Sequence, residues 1–310
     1  AVIADLLGHL RQPELALRHT RAHLGPASRL LVAEPLAIPL QRLASPARRA
    51  QSLRSLEALL VRSGLRLRDW VSKRGTFVAC IAEVAMGAGT DSLLAGLDAL
   101  GSGEPAAARA ALDTAAGCGS KPIEREALLA SAQAALVLGD GDAAARALMT
   151  AAALDPDDAR PLAGLAELSF LTNDVPTALR LGLEAAQRDP CEPSASRIAA
   201  FAALALGHRD AMSAVRVANN LAPDDFDLAR ALSEAASRLG DGGPGVAALE
   251  RVRAYGDDQG ASLHVELSRA LLAQGRRADA ELEARLARAR HPEDPEVIEL
   301  WSSFPGRVAH

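Results

Sequence analysis

The chain has 310 residues, of which 49% are hydrophobic and only 3% aromatic, and its formal net charge is −5. This length favours two folding units, and the abundance of Ala and Leu favours packed helices over a β-sandwich. No stretch reaches the roughly 20 uncharged apolar residues of a membrane span, and the first residues lack the features of a secretory signal. Three scattered cysteines argue against a disulfide framework or a zinc site. These features predict a cytoplasmic protein without a membrane span.

Charge is divided unevenly along the chain. Residues 1–85 carry 13 Lys and Arg against 6 Asp and Glu, whereas the remaining residues carry 21 against 33. Opposite signs in the two parts support two domains and favour electrostatic docking between them. The arginines of the basic part are not interleaved with aromatic residues as in a base-stacking surface, which argues against nucleic acid as a partner.

The first 85 residues alternate strand and helix patterns. AVIA (1–4) and SRLLVAEP (28–35) are apolar runs of strand length, and QPELALRHTRAHLG (12–25) has apolar residues at helical spacing. ARRAQSLRSLEALLVRSGL (47–65) predicts a second amphipathic helix, and RLRDWVSKRGTFVACIAEV (66–84) predicts two strands. The order β-α-β-α-β-β is typical of an α/β fold.

That order resembles the C-terminal half of a class I S-adenosylmethionine-dependent methyltransferase. The resemblance is carried by ADLLGHL (4–10), ALRHTRAHLGPASRLLVAEP (16–35) and LEALLVRSGLRLRDWVSKRGTFVACIA (56–82), the last of which matches the final helix and the closing antiparallel hairpin. It implies a partial Rossmann-like sheet over residues 1–85. It also implies S-adenosylmethionine as the cofactor of a longer parent protein.

The cofactor loop of that fold has no counterpart in this sequence. The Gly-rich stretches MGAGT (86–90) and GSGEP (101–105) follow the sheet and are interpreted as linker that joins two domains, not as a cofactor cradle. We therefore expect a fragment that lacks about 100–150 residues of α/β fold. Alone, this fragment is expected neither to bind S-adenosylmethionine nor to catalyse methyl transfer.

Two side chains of this segment are candidates for methyl-transfer chemistry. His9 follows the first strand, where ligands gather in open α/β sheets, and Glu34 ends the next strand on the same side. A histidine base that deprotonates an acceptor hydroxyl would suit methyl transfer. The alternative is that His9 packs on its helix and Glu34 bonds to the backbone. His19 and His23 lie four residues apart on a predicted helix but lack a third metal ligand, so we interpret them as a solvated face.

After about residue 90 the pattern becomes a repeat of about 34 residues. An Asp-Pro step or its equivalent stops one helix per unit, at Asp155-Pro156, Asp189-Pro190, Ala222-Pro223 and His291-Pro292. A second series of turn residues has the same period and consists of Gly139, Asn173, Gly207, Gly240 and Gly275. Asn173-Asp174 is expected to take the left-handed and capping conformations that join two helices.

This repeat resembles the tetratricopeptide repeat (TPR), with small residues at the helix-contact positions, namely Ala132, Ala166, Ala200, Ser268, Ala144, Ala178, Ala211 and Ala280. The resemblance implies an all-α superhelix of five to six units over about residues 91–300. PEVIELWSSF (295–304) is expected to form a capping helix, and residues 301–310 a tail.

In TPR arrays the first helix of each unit lines a concave groove that binds a protein or peptide. The resemblance places nine residues there: Glu126, Gln133, Arg160, Glu167, Arg197, Phe201, Arg230, Glu234 and Arg269. The four arginines among them, Arg160, Arg197, Arg230 and Arg269, are a candidate ladder for the carboxylates of a peptide, because a guanidinium presents paired donors. The alternative is a solvated face on which Glu and Arg neutralise each other, and the interleaved Glu residues argue against a purely acidic ligand.

Three functions are compatible with these patterns. The first is a methyltransferase, with unknown acceptor, whose TPR array recruits a partner or mediates self-association. The second is a non-catalytic TPR scaffold with a structural α/β appendage, which needs no missing cofactor loop. The third is an array whose groove is filled within the molecule, as a regulatory or oligomerising element.

Overall fold

The computed structural model describes residues 2–4, 12–26, 28–35, 53–73, 77–255 and 260–304. Contacts group the chain into two compact units, Ala1–Leu206 and Gly207–His310. The elements of the first unit are β1 (Val2–Ala4), α1 (Pro13–Ala22), β2 (Arg29–Pro35), α2 (Leu53–Arg62), β3 (Leu65–Lys73), β4 (Phe77–Val84), α3 (Ala88–Gly101), α4 (Pro105–Ala116), α5 (Lys121–Val137), α6 (Gly141–Leu154), α7 (Ala159–Leu171), α8 (Val175–Arg188) and α9 (Pro193–Ala205). Those of the second unit are α10 (Ala211–Leu221), α11 (Phe226–Arg238), α12 (Gly243–Tyr255), α13 (Gly260–Ala273), α14 (Arg277–Arg290) and α15 (Pro295–Ser302).

The first unit opens with a small sheet of four strands in the order β1-β2-β4-β3. β1 runs parallel to β2, with Val2 opposite Leu31, whereas β4 is antiparallel to both of its neighbours. The predicted order of strands and helices and the closing antiparallel hairpin are therefore present in the described residues.

Helices α1 and α2 cover one face of this sheet. Side chains alternate between the two faces of a strand, and every second residue of β2 and β4 points toward the helices. The resulting core consists of Leu17, Leu30, Val32, Leu56, Leu60, Leu65, Cys80 and Ala82. On the other face Val2, Leu31 and Val71 are exposed.

Helix α2 also belongs to a second core that continues into the helical part. This cluster joins α2, α3, α4 and α5 and consists of Val61, Leu93, Leu97, Ala108, Leu112, Ala115, Ala127, Ala130 and Ala134. Only residues 85–87 separate β4 from α3, so the stretch interpreted from the sequence as a linker contributes its last three residues to α3. The stretch GSGEP lies at the turn between α3 and α4. The sheet and the first helices therefore share a continuous hydrophobic structure.

From α3 onward the chain is helical and follows the predicted period. In the first unit α3 packs on α4, α5 on α6, and α7 on α8 and α9. In the second unit α11 packs on α12, and α13 on α14 and α15. The expected capping helix is α15, which buries Val297 and Leu300.

The turn residues account for this period. Gly139, Gly207, Gly240 and Gly275 have positive φ, and Asn173, with φ 63°, is the single non-glycine residue with positive φ in the described part of the chain. A left-handed residue ends a helix, and after Gly139 and Asn173 the acidic side chains of Asp140 and Asp174 cap the next helix. Asp174 does so by accepting a hydrogen bond from the Thr177 backbone N–H, as predicted for Asn173-Asp174.

Candidate functional site

The nine predicted groove residues all lie on the first helices of the pairs. The first unit holds Glu126 and Gln133 on α5, Arg160 and Glu167 on α7, and Arg197 and Phe201 on α9. The second unit holds Arg230 and Glu234 on α11 and Arg269 on α13. Their surroundings differ strongly, however, because Glu126 is fully buried whereas Gln133, Glu167, Arg230, Glu234 and Arg269 are exposed.

Arg160 already binds carboxylates of its own chain. Its two terminal nitrogens donate to the two carboxylate oxygens of Glu126, over 2.9 and 2.8 Å. The same guanidinium donates to both oxygens of Asp158, with Nη2 at 2.7 Å from Oδ2. Glu126 and Asp158 are 0% and 2% exposed. In the first unit, therefore, the groove position of Arg160 is filled by an intramolecular salt bridge.

A second arginine, which the sequence did not single out, extends this contact to the sheet segment. Buried Arg125 lies next to Glu126 and donates to Glu57 of α2 over 3.1 Å and to Asp155 at the end of α6 over 3.1 Å. We call Glu57, Arg125, Glu126, Asp155, Asp158 and Arg160 the ion cluster. Glu57 lies 68 residues before Arg125 in the chain, so no local pattern reveals their contact.

Mutual attraction keeps the ion cluster charged. Burial opposes ionisation of Asp158, but the hydrogen bonds and the positive charge of Arg160 outweigh it and lower the pKa of that carboxyl. Burial also opposes the charge of Arg160, yet Glu126 and Asp158 together raise the pKa of its guanidinium. The pKa of Arg125 is likewise raised, because Glu126 and Glu57 outweigh the effect of burial.

The C-terminal halves of α5, α7 and α9 present an uncovered apolar surface. Val137 and Leu171 are 66% and 65% exposed although both are aliphatic, and their neighbours Leu136, Phe170, Phe201 and Leu204 are partly exposed. We call these six residues the apolar shelf. Leu136 of α5 and Leu165 of α7 pack against one buried cluster formed by α5 and α6, so α7 follows α5 in the same hydrophobic core.

Polar groups sit among these apolar residues. Glu167 lies seven residues after Arg160, so it is two turns further along the same face of α7, and four residues before Leu171. The guanidinium of Arg197 lies over the ring of Phe201 at 5.0 Å from its centroid. The sequence predicted Glu167, Arg197 and Phe201 as groove residues. It missed Val137 and Leu171. Their 34-residue spacing, just before the turns, could have revealed them as equivalent positions of the repeat.

The predicted residues of the second unit form loose ion pairs on one helix face. Arg230 is 46% exposed and lies 3.7 Å from both Asp227 and Glu234. Arg269 is bonded to Glu266 over 3.1 Å. Each of these two arginines therefore already contacts carboxylates of its own helix.

A buried histidine forms a second cluster in this unit. The Nδ1 atom of His264 (α13) lies 2.8 Å from Oε2 of Glu283 (α14), and its Nε2 lies 3.0 Å from Nη1 of Arg290. Because arginine can only donate, Nε2 is the acceptor, and Nδ1 carries the proton that is donated to Glu283. Arg253 of α12 also donates to Glu283. We call these four residues the His264 cluster.

Glu283 is the single carboxylate of the His264 cluster. Burial disfavours its charged form, but the hydrogen bond from His264 and the charge of Arg253 outweigh this and lower its pKa. Glu283 and His264 are 19 residues apart in the chain. That spacing joins one helix to the next and follows from no repeat signature in the sequence.

The residues predicted for methyl transfer are only partly described. His9 lies outside the described residues, and Glu34 pairs through its backbone with Val78 in the sheet, whereas its side chain is outside the description. His23 closes α1, and its Nδ1 lies 2.8 Å from the carbonyl oxygen of His19, to which it donates. Across the described ranges no group of three or more His, Cys, Asp or Glu side chains is arranged to hold a metal ion.

Gly89 of the first Gly-rich stretch is closely packed. Gly89 lies in the first turn of α3, where an added Cβ would come within 2.6 Å of Cβ and 2.7 Å of Sγ of Cys118. The space above Gly89 is therefore filled by the turn between α4 and α5, whereas an added Cβ at Gly87, Gly101 or Gly103 would meet nothing within 4 Å. Helices long and apolar enough to cross a membrane are absent from the described ranges.

Comparison with known proteins identifies the fold of the helical part. No family model matches the chain, and no curated protein matches it in sequence. Among solved structures, PilF of Pseudomonas aeruginosa aligns with 70% of this chain and 98% of its own, at 19% identity and a TM-score of 0.55. The Cut9–Hcn1 hetero-tetramer of the APC/C aligns with 70% of this chain at 15% identity and a TM-score of 0.54.

This chain spans only 42% of the matched chain of the Cut9–Hcn1 structure. A TPR protein of Thermus thermophilus, TTC0263, aligns with 57% of this chain and 97% of its own, at 21% identity and a TM-score of 0.43. The TM-scores of PilF and of the Cut9–Hcn1 structure exceed 0.5, which indicates a shared fold. The helical part of this chain has a TPR-type repeat fold, and none of these neighbours indicates a methyltransferase segment.

Proposed function

We propose that this chain is a protein-interaction module whose first unit holds a segment of a partner protein on the apolar shelf and the adjoining groove residues. The observation that carries this proposal is the exposed apolar face that recurs on the first helices of a TPR-type repeat, at Val137 and Leu171. Interaction scaffolds of this kind use the surface that stacked repeats create.

The physical basis is burial of this face. Apolar side chains gain about 25 cal/mol for each Å² that is removed from water, and protein interfaces concentrate aromatic, aliphatic and Arg side chains at their centre. Phe201 beneath the guanidinium of Arg197, together with exposed Leu171 and Val137 on the preceding first helices of the same unit, supplies that composition. A second copy of the chain is one candidate partner, which makes self-association part of the proposal.

A peptide-selection experiment tests this proposal. A library of random 12-residue peptides is displayed and selected on the whole chain, and the selected peptides are resynthesised for fluorescence anisotropy. Leu171→Asp is expected to weaken their binding at least about tenfold, because it places a charge at the centre of the shelf. The matched control is Leu183→Asp, since Leu183 is a 47% exposed leucine on the second helix of the same pair. Equal binding to both variants would contradict the proposal.

The second candidate function is methyl transfer by a longer parent protein. The parallel β1–β2 pair followed by an antiparallel hairpin supports it, as does the order of helices between the strands. Both Gly-rich stretches follow the sheet, whereas the cofactor loop of that fold follows its first strand, so this chain alone is expected not to bind S-adenosylmethionine. Isothermal titration with S-adenosylmethionine checks this, and micromolar binding would contradict it.

We also propose a reducing compartment such as the cytoplasm for this chain. Cys80, Cys118 and Cys191 all lie in the described ranges and form no disulfide there, and Cys80 and Cys191 are buried. Proteins of oxidising compartments commonly pair their cysteines. Labelling of the thiols in cells lysed directly into denaturant tests this, because reduced cysteines then react even where the fold buries them, whereas oxidised ones do not.

A further inference from the structure

We infer that the segment held on the apolar shelf is apolar and basic, with a lysine or arginine that faces Glu167. This inference rests on the proposed function and specifies the chemistry of its ligand. The charge of this segment is opposite to that of the acidic peptide that a ladder of free guanidinium groups would bind.

The first argument is that the arginine positions of the first unit are occupied. Arg160 is bound by Glu126 and Asp158 through five hydrogen bonds to their side chains. The guanidinium of Arg197 lies over the ring of Phe201. A carboxylate of a ligand would therefore have to displace a buried, bidentate partner from Arg160, which is energetically unfavourable.

The second argument is the state of Glu167. This carboxylate is exposed, and among the described residues it has neither an ion-pair partner nor a hydrogen-bond donor. Its position, four residues before Leu171, places it inside the apolar surface and not at a distant rim. When a partner covers this surface, Glu167 loses water, and an unpaired charge in such a place is unfavourable unless the partner brings a cation.

The third argument is the surplus of negative charge in the ion cluster. It contains four carboxylates, of Glu57, Glu126, Asp155 and Asp158, against the two guanidinium groups of Arg125 and Arg160. Asp158 and Arg160 place this cluster at the start of α7, about two turns from Glu167. Complementary charge attracts a basic segment to this surface and repels an acidic one.

The test uses the selected 12-residue peptides and a double-mutant cycle. The selected set is expected to contain Lys or Arg among apolar residues. Changing that residue to Gln should weaken binding to the unaltered chain about five- to tenfold, and should change binding to Glu167→Gln by less than about twofold, because the partner charge is already absent. Glu184→Gln is the control, since it removes one exposed carboxylate from α8.

The outcomes separate this inference from the proposed function. Peptides that require Asp or Glu, or a Lys/Arg→Gln loss of equal size in both chains, would overturn the inference while Leu171→Asp still abolished binding. If Leu171→Asp leaves binding unchanged, the apolar shelf is not the binding surface, and the proposed function fails together with the inference. Weaker binding of the basic peptides at high salt, with Glu167 intact, supports the inference.

Discussion

The ion cluster of the first unit and the His264 cluster of the second unit both join helices through buried charges. They differ in how many buried partners the central charged group has and in how exposed those partners are. Arg160 serves two nearly inaccessible carboxylates at once. Glu283, by contrast, is one carboxylate held by His264 and by Arg253, whose side chain is 40% exposed. The comparison shows that an arginine at a groove position can be a structural residue when its partners are buried.

The largest effect is expected for Arg160→Met. The methionine keeps much of the side-chain volume but leaves Glu126 and Asp158 with Arg125 as their remaining cation in the ion cluster. Breaking a buried ion pair from one side typically costs about 3–5 kcal/mol. We expect a loss of this size in the free energy of unfolding, measured in urea by circular dichroism. A change below about 1 kcal/mol would show that the ion cluster contributes little to stability.

Glu283→Gln should cost less, about 2 kcal/mol at neutral pH. The glutamine can still accept the hydrogen bond from His264, but it loses the attraction to Arg253. The same urea unfolding experiment measures this change. A larger loss than for Arg160→Met would reverse the order inferred from the number of buried partners.

The pH dependence of this second effect has a defined sign. The pKa of Glu283 is lower in the folded chain than its unfolded value of 4.5, so its contribution is fully present above pH 4.5. It is lost as the pH falls from there through the lowered pKa of the folded state. The stability difference between the unaltered chain and Glu283→Gln should therefore shrink in acid. A difference that stays constant down to pH 3 would contradict the lowered pKa.

Asn173→Gly probes the turns at a smaller scale. Asn173 holds a left-handed conformation that four glycines adopt at the equivalent turns. Glycine removes the steric penalty of that conformation but loses more entropy on folding, and we expect a net gain of about 0.5 kcal/mol. Thermal unfolding measures the gain, with Gly139→Ala as the converse change that should destabilise the chain.

The smallest effect is expected for Arg230→Met, which makes the comparison with Arg160→Met direct. Its partners Asp227 and Glu234 are about half-exposed and lie 3.7 Å away. Exposed pairs of this kind contribute about 0–0.5 kcal/mol. A loss of several kcal/mol in the same urea experiment would mean that exposure does not distinguish the two arginines.

The sequence by itself determined the period, the turns and the order of elements. The left-handed residues recur every 33–35 positions from Gly139 to Gly275. Their steric requirement is local, so the turns can be predicted from the sequence without knowledge of tertiary contacts. The alternation of apolar residues likewise predicted β1 to β4 and the helices between them, because side-chain direction follows the local period. The methyltransferase resemblance used the same local order, which several α/β proteins can share.

Only the tertiary structure decided which charged and apolar side chains are exposed to a partner and which are already bound within the chain. The pairing of Glu57 with Arg125 bridges 68 residues, and that of Arg160 with Glu126 bridges 34. Such contacts depend on how helices pack, so Arg160 and Arg230 look alike in sequence although one is bound and the other is exposed. The same packing leaves Val137 and Leu171 uncovered, because burial is a property of neighbours that are distant in the chain.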